Sequence, residues 1–199
     1  MGLSHAVPRI TVVALAALIG AAGSCASAAT PMDGFHVYEP VADTYVTASR
    51  PRANFGRSPT LRVDASPETT AFVRFRLKRT PLEAVTVTLL LRPGSPGGTR
   101  YAVRGVEDNE WRERRLTYAT APHPSMRFAS SRPVRRGAWS AVDVTSLVAS
   151  GGKEVTLAIT TRGRQDISFG SRESRSGPRL VVRTDDEQED LDLDAILRR

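Results

Sequence analysis

The clearest pattern along the chain is an alternation of apolar and polar side chains within short segments. Val73, Phe75 and Leu77 share one face of such a segment. Arg74 and Arg76 lie between them and share the other face. Because successive side chains of a strand point to opposite sides of a sheet, a period of two residues is typical of a half-buried β-strand.

Similar segments recur at fairly regular intervals, and residues that favour turns separate them. Glycine, proline and serine are frequent between the segments, for example in residues 93–98. One helical turn is expected at 144–148. Many short strands with turn signals between them predict a single all-β domain, either a sandwich or a barrel. The predicted strands begin near Val41 and include residues 60–64, 72–77, 84–91, 101–106, 141–144, 155–161, 167–169 and 180–182.

The first residues have the pattern of a secretory signal peptide. Arg9 precedes an apolar run at 10–22, and Ala26-Ser27-Ala28 offers the small-x-small cleavage site. The apolar run is short for a membrane span. Residues 1–28 are therefore predicted to be a signal peptide, and the mature protein to be extracellular without a transmembrane segment.

Cys25 leaves an alternative open. Together with the three residues before it, this single cysteine resembles a lipoprotein cleavage box, although Ala22 stands where a large aliphatic residue is usual. A lipid anchor at the cell surface is the alternative localisation. Cleavage after Ala28 would instead remove the only thiol, and the domain would rely on its hydrophobic core rather than on disulfides.

The remaining boundaries follow from composition. Residues 29–40 are interpreted as a lead-in segment and 41–184 as the β-domain. Residues 185–199 carry seven acids and two arginines and are predicted to be a disordered tail. A short amphipathic helix, or a return of this tail onto a basic domain, remains an alternative.

Charge changes the interpretation of the β-domain. Residues 29–184 contain 25 basic and 14 acidic residues, a net charge of +11, and Lys78 and Lys153 are the only lysines. The planar guanidinium of arginine pairs bidentately with carboxylate and sulfate groups. A basic exported domain favours an anionic partner, such as an acidic polysaccharide, a wall polymer, lipid headgroups or nucleic acid, unless the arginines only solvate the surface.

The sequence contains no recognisable catalytic set. Its histidines, His5, His36 and His123, are far apart, and no serine lies in a G-x-S-x-G motif. Carboxylates around Trp111 are interpreted as an acidic loop rather than as a glycosidase pair. We therefore expect no enzyme activity and no cofactor. Strand-end carboxylates would suit a structural calcium ion; the candidates are Asp43, Asp64, Asp143 and Asp166.

Several short motifs in a fixed order carry a family resemblance. They are Asp43-Thr44-Tyr45, Asn54-Phe55-Gly56, Val73-Arg74-Phe75-Arg76-Leu77, Trp111-Arg112-Glu113 with Thr117-Tyr118, Asp143-Val144-Thr145, Ser171-Arg172-Glu173 and Pro178-Arg179-Leu180-Val181-Val182. With them the chain resembles the DNRLRE domain, also described as carbohydrate-binding module family 96 and related to disaggregatase repeats. Tyr118 replaces the usual tryptophan, and Arg76 stands where aspartate is common.

The resemblance implies a secreted jelly-roll β-sandwich that binds acidic polysaccharide such as alginate and not nucleic acid. Most of the landmark residues are expected to have structural roles, in the core, in turns or in ion pairs. This structural set comprises Asp43, Tyr45, Asn54, Gly56, Trp111, Glu113, Asp143, Ser171, Arg172 and Glu173.

The ligand is expected on an arginine-rich face of the sheet. Arg74 and Arg76 project together, Arg62 and Arg104 are placed beside them, and Tyr101 is assigned as a sugar-stacking ring. The function predicted is a secreted, non-catalytic carbohydrate-binding module that recognises a uronate- or sulfate-bearing polysaccharide. The alternative is a structural or adhesive cell-envelope β-sandwich that binds a protein partner.

Overall fold

The computed structural model describes residues 35–78, 84–95, 97–149 and 152–184 of the 199-residue chain. The predicted signal peptide, Cys25 and the acidic tail lie outside the described residues. All described residues belong to one compact unit.

The described residues form eleven strands and very little helix. One helical turn, α1, spans Thr145–Val148, and a 3₁₀ turn spans Tyr118–Thr120. The strands are β1 (Phe35–Tyr38), β2 (Pro40–Thr47), β3 (Thr60–Ala65), β4 (Glu68–Arg76), β5 (Ala84–Leu91), β6 (Ala102–Val106), β7 (Phe128–Ser130), β8 (Ser140–Asp143), β9 (Glu154–Thr160), β10 (Ile167–Gly170) and β11 (Arg179–Thr184).

The strands form two antiparallel sheets. The four-stranded sheet has the order β1-β11-β5-β8. The seven-stranded sheet has the order β10-β3-β4-β9-β6-β7, and β2 also pairs with β4. The prediction of an all-β, jelly-roll-like antiparallel sandwich is therefore confirmed.

The main core lies between the inner faces of the two sheets. Val87, Leu89 and Leu91 of β5 enter it from the four-stranded sheet, and Val73 and Phe75 of β4 from the seven-stranded sheet. All five side chains are fully buried. Val73 and Phe75 thus share the face of β4 that the alternation predicted to lie inward, toward the main core.

The domain begins earlier than the sequence predicted. Phe35–Tyr38, assigned to the lead-in segment, forms β1 at the edge of the four-stranded sheet. Phe35 pairs with Arg183 and Tyr38 with Leu180. Nothing near it in the sequence indicates this pairing, because its partner strand lies at the far end of the chain.

A second cluster covers part of the outer face of the seven-stranded sheet. Residues 107–126, which we call the strap, cross this face, and Trp111 and Leu116 pack there near Phe72 of β4. The indole Nε1 of Trp111 donates to Thr156 Oγ1 of β9 at 3.1 Å. The strap leaves the remainder of the same outer face uncovered.

Within the described residues, no helix is long and apolar enough to cross a membrane.

Candidate functional site

The uncovered part of the outer face forms a groove beside the strap. Thr70 of β4 and Thr160 of β9 line it, and Tyr118, Pro122 and Met126 of the strap form one wall. This hollow has a volume of about 630 Å³. A sheet face lined by threonines and bordered by a loop offers hydroxyl groups and shallow apolar surface together.

A second hollow of about 450 Å³ continues the first toward β7. Both hollows are lined by Arg104, Thr160, Thr161 and Arg162. Together they make one elongated groove, which crosses the strands from the β3–β4 hairpin to Phe128 of β7. We call this feature the sheet groove.

One end of the sheet groove is basic. Arg104 Nη1 donates to the carbonyl oxygens of Ser125 at 2.9 Å and Met126 at 3.1 Å, which fixes the guanidinium beside the strap. Its central carbon lies 5.1 Å from the ring centre of Phe128, a residue that is 55% exposed. Arg162 is exposed at the same end, as is Arg100.

The first hollow also contains acidic groups, beside the Arg104 and Arg162 that line it. Asp64 and Glu68 lie on either side of the β3–β4 hairpin and line the first hollow. Tyr118 donates its hydroxyl to Glu68 Oε2 at 2.8 Å, and this bond raises the pKa of Tyr118. The tyrosine therefore remains a protonated donor that links the strap to the hairpin.

Two of the predicted ligand residues form ion pairs with neighbouring strands. Arg62 Nη2 lies 3.1 Å from Asp166 Oδ2. Arg76 donates from Nε at 2.9 Å and from Nη2 at 2.6 Å to the same oxygen, Oε1 of Glu154. Both arginines are exposed, but neither lines the sheet groove.

Arg74 is held beneath the strap rather than exposed on a binding face. Its side chain is 18% exposed, and its guanidinium carbon lies 5.1 Å from the ring centre of Trp111. Nη1 donates to the backbone oxygen of Asn109 and lies 3.8 Å from Glu154 Oε2. The strap therefore separates Arg74 from solvent, and the expected pairing of Arg74 with Arg76 as a ligand surface does not occur.

The assignment of Tyr101 as a stacking ring is wrong. Tyr101 is 2% exposed, lies in the main core and meets the edge of Phe169 at 5.1 Å between ring centres. Its hydroxyl donates to Ser140 Oγ at 3.0 Å, and burial raises its pKa. Tyr101 and Arg104 are an odd number of residues apart, so the alternation of the strand places them on opposite faces.

Of the predicted ligand set, only Arg104 combines a place in the sheet groove with a side chain on its outer face. Sequence reasoning missed Arg100, Tyr118, Phe128 and Arg162. Phe128 belongs to a three-residue strand, which is too short for an alternation to be visible. Arg162 follows β9, and only the pairing of β9 with β6 brings it near Arg104.

Most of the landmark motif residues meet in a separate polar network. Asp43 Oδ2 accepts a hydrogen bond from the backbone N–H of Arg172 at 2.7 Å, and the backbone N–H of Asp43 donates to Glu113 Oε1 at 2.9 Å. The guanidinium of Arg172 lies 3.3 Å from that same oxygen of Glu113 and donates to the carbonyl of Val41. Strand β2, the strap and the segment after β10 are thereby joined.

The turn at Asn54 extends this network along the strap. Asn54 Nδ2 donates to the carbonyl oxygens of Glu113 at 2.7 Å and Leu116 at 2.8 Å, while its Oδ1 accepts from the Gly56 N–H. Phe55, between them, stacks on Tyr45 at 4.3 Å between ring centres. The strap therefore rests on a turn whose side chain bonds to its backbone.

Two other landmark residues form hydrogen bonds where strands begin or end. Ser171 Oγ donates to the carbonyl of Ser58 at 2.7 Å and to Glu173 Oε2 at 3.0 Å. Asp143 Oδ1 accepts from the backbone N–H of Thr145 at 2.9 Å and from its hydroxyl at 2.6 Å, at the start of α1. Each bond satisfies a donor where a strand ends.

The network also contains the closest group of carboxylates among the described residues. Oxygens of Asp43, Glu113 and Glu173 lie within 4.8 Å of one another. Burial is the main cause that raises the pKa of Asp43 to about 7; the bond from the Arg172 N–H opposes it, and the carboxylates of Glu173 and Glu113 add to it. Arg172 already supplies a positive charge to this group.

The aspartates considered for calcium do not assemble into one group. Asp43 meets Glu113 and Glu173, whereas Asp166 pairs with Arg62. Asp143 bonds to Thr145, and Asp64 Oδ1 accepts from the Ser66 N–H at the hairpin.

No curated protein matches the chain. Among solved structures, the chain is similar to the CBM22-1–GH10 modules of the Clostridium thermocellum endo-1,4-β-D-xylanase 10B in complex with xylohexaose, with 11% identity and a TM-score of 0.38. That similarity covers 81% of this chain and 30% of the other. The chain matches the model of carbohydrate-binding module family 96 over residues 35–184, most of its length, and therefore belongs to that family.

Proposed function

We propose that this protein is a secreted, non-catalytic module that binds an acidic polysaccharide in the sheet groove, with arginines contacting the carboxylate or sulfate groups of the sugar chain. The observation that carries the proposal is the basic end of the groove, where Arg100, Arg104 and Arg162 line the same hollow as the exposed residue Phe128. The pattern of residues 1–28 supports secretion.

The basic end combines two kinds of contact that a charged sugar uses. Guanidinium groups make charge-assisted hydrogen bonds to carboxylate and sulfate oxygens. Arg104 is held in place by its bonds to two strap carbonyls, so it loses little side-chain freedom on binding. Phe128 offers a flat apolar surface against which the carbon face of a sugar ring can lie.

The shape of the sheet groove favours a polymer. Its two hollows are continuous through Arg104 and Arg162, so several sugar units can lie in line across the strands. This surface replaces the arginine face expected from the sequence, because Arg74 is covered by the strap and Arg76 is paired with Glu154.

A binding comparison between matched double variants tests the proposal. Wild type is screened against uronate-bearing, sulfated and neutral polysaccharides at low and high salt, beside Arg100→Ala/Arg162→Ala. The control is Arg135→Ala/Arg136→Ala, which removes the same charge from two exposed arginines that do not line the groove. We expect the groove variant to lose about tenfold or more in affinity for an anionic polymer and the control to change little.

Salt provides a second criterion. Exposed charge contacts are screened as ionic strength rises, so the affinity should fall from low to high salt. Equal loss in both double variants would contradict the groove and indicate a nonspecific effect of net charge. Preference for neutral polysaccharides, or salt-independent binding to a protein instead, would contradict the proposed ligand.

A further inference from the structure

The outer face of the four-stranded sheet has an apolar centre that is separate from the main core. Val181 of β11 and Leu90 of β5 stand between residues that enter the main core, so the alternation of each strand turns them outward. Both are nevertheless buried, at 1% and 0% exposure, and they pack with the partly buried Phe35 and Trp139. The outer face of an antiparallel sheet is commonly polar and solvated, so buried apolar residues there indicate a surface that is covered.

Two arginines of β11 border this apolar centre. Arg179 and Arg183 lie two residues before and after Val181, so they share its face. The guanidinium carbon of Arg179 lies 5.4 Å from the ring centre of Trp139, and that of Arg183 lies 5.8 Å from the ring centre of Phe35. This surface, which we call the β11 face, is formed by Phe35, Leu90, Trp139, Arg179, Val181 and Arg183. A partner that matches it carries apolar and acidic groups together.

The acidic tail, residues 185–199, has this composition and follows β11 directly. Five acids lie in 185–190, and two more follow among four aliphatic residues, which are Leu191, Leu193, Ile196 and Leu197. A run of like charges repels itself in isolation. Guanidinium groups of opposite charge offset that repulsion, and an apolar surface gives the aliphatic side chains a place to be buried.

We propose that the β11 face binds the acidic tail of the same chain. The aliphatic side chains of the tail pack against Val181 and Trp139, and its acids lie beside Arg179 and Arg183. The tail thereby covers the outer face of the four-stranded sheet, on the side of the sandwich opposite the sheet groove. This inference does not depend on the proposed function.

The tail is long enough to reach the whole of the β11 face. β11 ends at Thr184, between β1 and β5. Residues 185–190 span up to about 20 Å when extended, whereas the strand from Thr184 back to Arg179 covers only roughly 17 Å. Because a short tether gives an effective concentration on the order of millimolar, even a weak contact is populated.

The sheet groove is a less suitable place for the tail. Asp64 and Glu68 line it beside its arginines, so the acids of the tail would meet like charges there. None of the six residues of the β11 face is acidic. The groove also lies on the other sheet, whereas the tail leaves the domain from β11 itself.

Fluorescence of Trp139 reports on the contact in the full chain. The only other tryptophan, Trp111, is buried at 6% exposure and gives a constant background. A tail variant that replaces its four aliphatic residues by serine keeps every charge. We expect acrylamide to quench this variant about twofold more strongly than wild type, and its melting temperature to be lower by about 3 °C.

Arginine variants then locate the contact. The difference caused by the serine substitutions is measured again in three backgrounds: Arg179→Ala/Arg183→Ala, Arg100→Ala/Arg162→Ala in the sheet groove, and Arg114→Ala/Arg115→Ala, two exposed residues of the strap. We expect the difference to fall by about half or more in the first background and to stay unchanged in the other two. Melting curves verify that each protein is folded.

Three results would overturn the inference. Equal quenching and melting of the serine variant and wild type would show that the tail does not cover the β11 face. Loss of the difference in the Arg100→Ala/Arg162→Ala background alone would assign the tail to the sheet groove. A dimer whose dissociation on dilution exposes Trp139, with or without the serine substitutions, would assign the face to a second copy. No polysaccharide enters these measurements, so failure of the proposed function leaves this inference intact.

Discussion

The guanidinium of Arg74 lies against the indole of Trp111, with 5.1 Å between the central carbon and the ring centre. Arg74 belongs to β4 and Trp111 to the strap, so this contact fastens the strap to the outer face of the seven-stranded sheet. Nε of Arg74 is buried, and no described residue bonds to it, so the ring, Glu154 and the carbonyl oxygen of Asn109 are the groups that compensate the guanidinium. Arg74 is therefore a structural cation.

A pair of alanine variants on one strand tests that role. Arg74→Ala removes the contact with Trp111 and the bond to Asn109, and we expect the free energy of unfolding to fall by about 2–3 kcal/mol. Arg76→Ala removes an exposed ion pair with Glu154 and should cost less than about 1 kcal/mol. Denaturant titrations measure both. Equal losses of stability in the two variants would contradict a structural role for Arg74.

The contact between Gly56 and the strap predicts a severe effect from a single methyl group. A Cβ at Gly56 would lie 2.3 Å from the backbone oxygen of Glu113, so Gly56→Ala must displace the strap. We expect a loss of about 2 kcal/mol or more in the free energy of unfolding. At Gly152 nothing lies within 4 Å of the added atom, so Gly152→Ala is the matched control and should cost little. A small effect at Gly56 would indicate that the strap yields easily.

Asn54 is predicted to stabilise the strap through its amide donors. Asn54→Ala loses the bonds to the carbonyls of Glu113 and Leu116, and we expect a cost of about 1–2 kcal/mol in the free energy of unfolding. Asn54→Asp retains an acceptor for the Gly56 N–H but places a carboxylate against the two carbonyls. It should be at least as destabilising as alanine. If aspartate restores stability, the acceptor rather than the donors matters.

Asp43 predicts a dependence of stability on pH. Its pKa is about 7 in the folded protein and 3.8 when unperturbed, so between these values the folded state holds a proton that the unfolded state has released. Its contribution to stability is present below pH 3.8 and is lost as pH rises toward 7, by up to about 4 kcal/mol.

Comparison with Asp43→Asn isolates this contribution. The variant keeps an oxygen that accepts from the Arg172 N–H but carries no charge, so it should gain stability relative to wild type as the pH is raised from 4 to 7. Denaturant titrations across that range give the difference in the free energy of unfolding between the two proteins. The contributions of the other titrating groups cancel in this difference. A difference that does not vary with pH would show that Asp43 is ionised throughout.

Variants of two aromatic residues are expected to affect binding and stability separately. Phe128→Ala removes an exposed ring of the sheet groove and should weaken binding to an anionic polysaccharide several-fold to tenfold with little change in melting temperature. Tyr101→Phe removes the buried bond to Ser140, so it should lower the free energy of unfolding by about 1 kcal/mol and leave affinity unchanged. Calorimetric titration and melting curves measure both. A loss of affinity in Tyr101→Phe, with unchanged affinity in Phe128→Ala, would restore Tyr101 as a ligand residue.

Much of the architecture was predictable because β-structure leaves a local signature. The alternation of Val73, Phe75 and Leu77, and the β-branched run of β5, indicate strands through the chemistry of neighbouring residues alone. The same alternation was available for the ligand residues: it places Tyr101 on the face opposite Arg104. β7 was missed because it has only three residues, and β1 because its pairing partner, β11, lies at the far end of the chain.

The candidate site was less predictable, because its residues come from separate parts of the chain. Arg162 and Phe128 lie near Arg104 only because β9 and β7 flank β6 in the sheet. Whether an arginine on the outer face is available also depends on what crosses that face. The strap covers Arg74 and leaves Arg104 beside the groove, and nothing in the order of residues indicates where that loop lies.

The sequence by itself determined the all-β class, the positions of most strands along the chain, the inner face of β4 and the excess of arginine, since these depend on residue type and on a period of two. Tertiary structure alone decided which arginines border a groove, which are covered or paired, and that Asp64 and Glu68 face the same groove as Arg104. The physical reason is that strand pairing and loop packing join residues distant in the chain, and burial and charge compensation arise only from those long-range contacts.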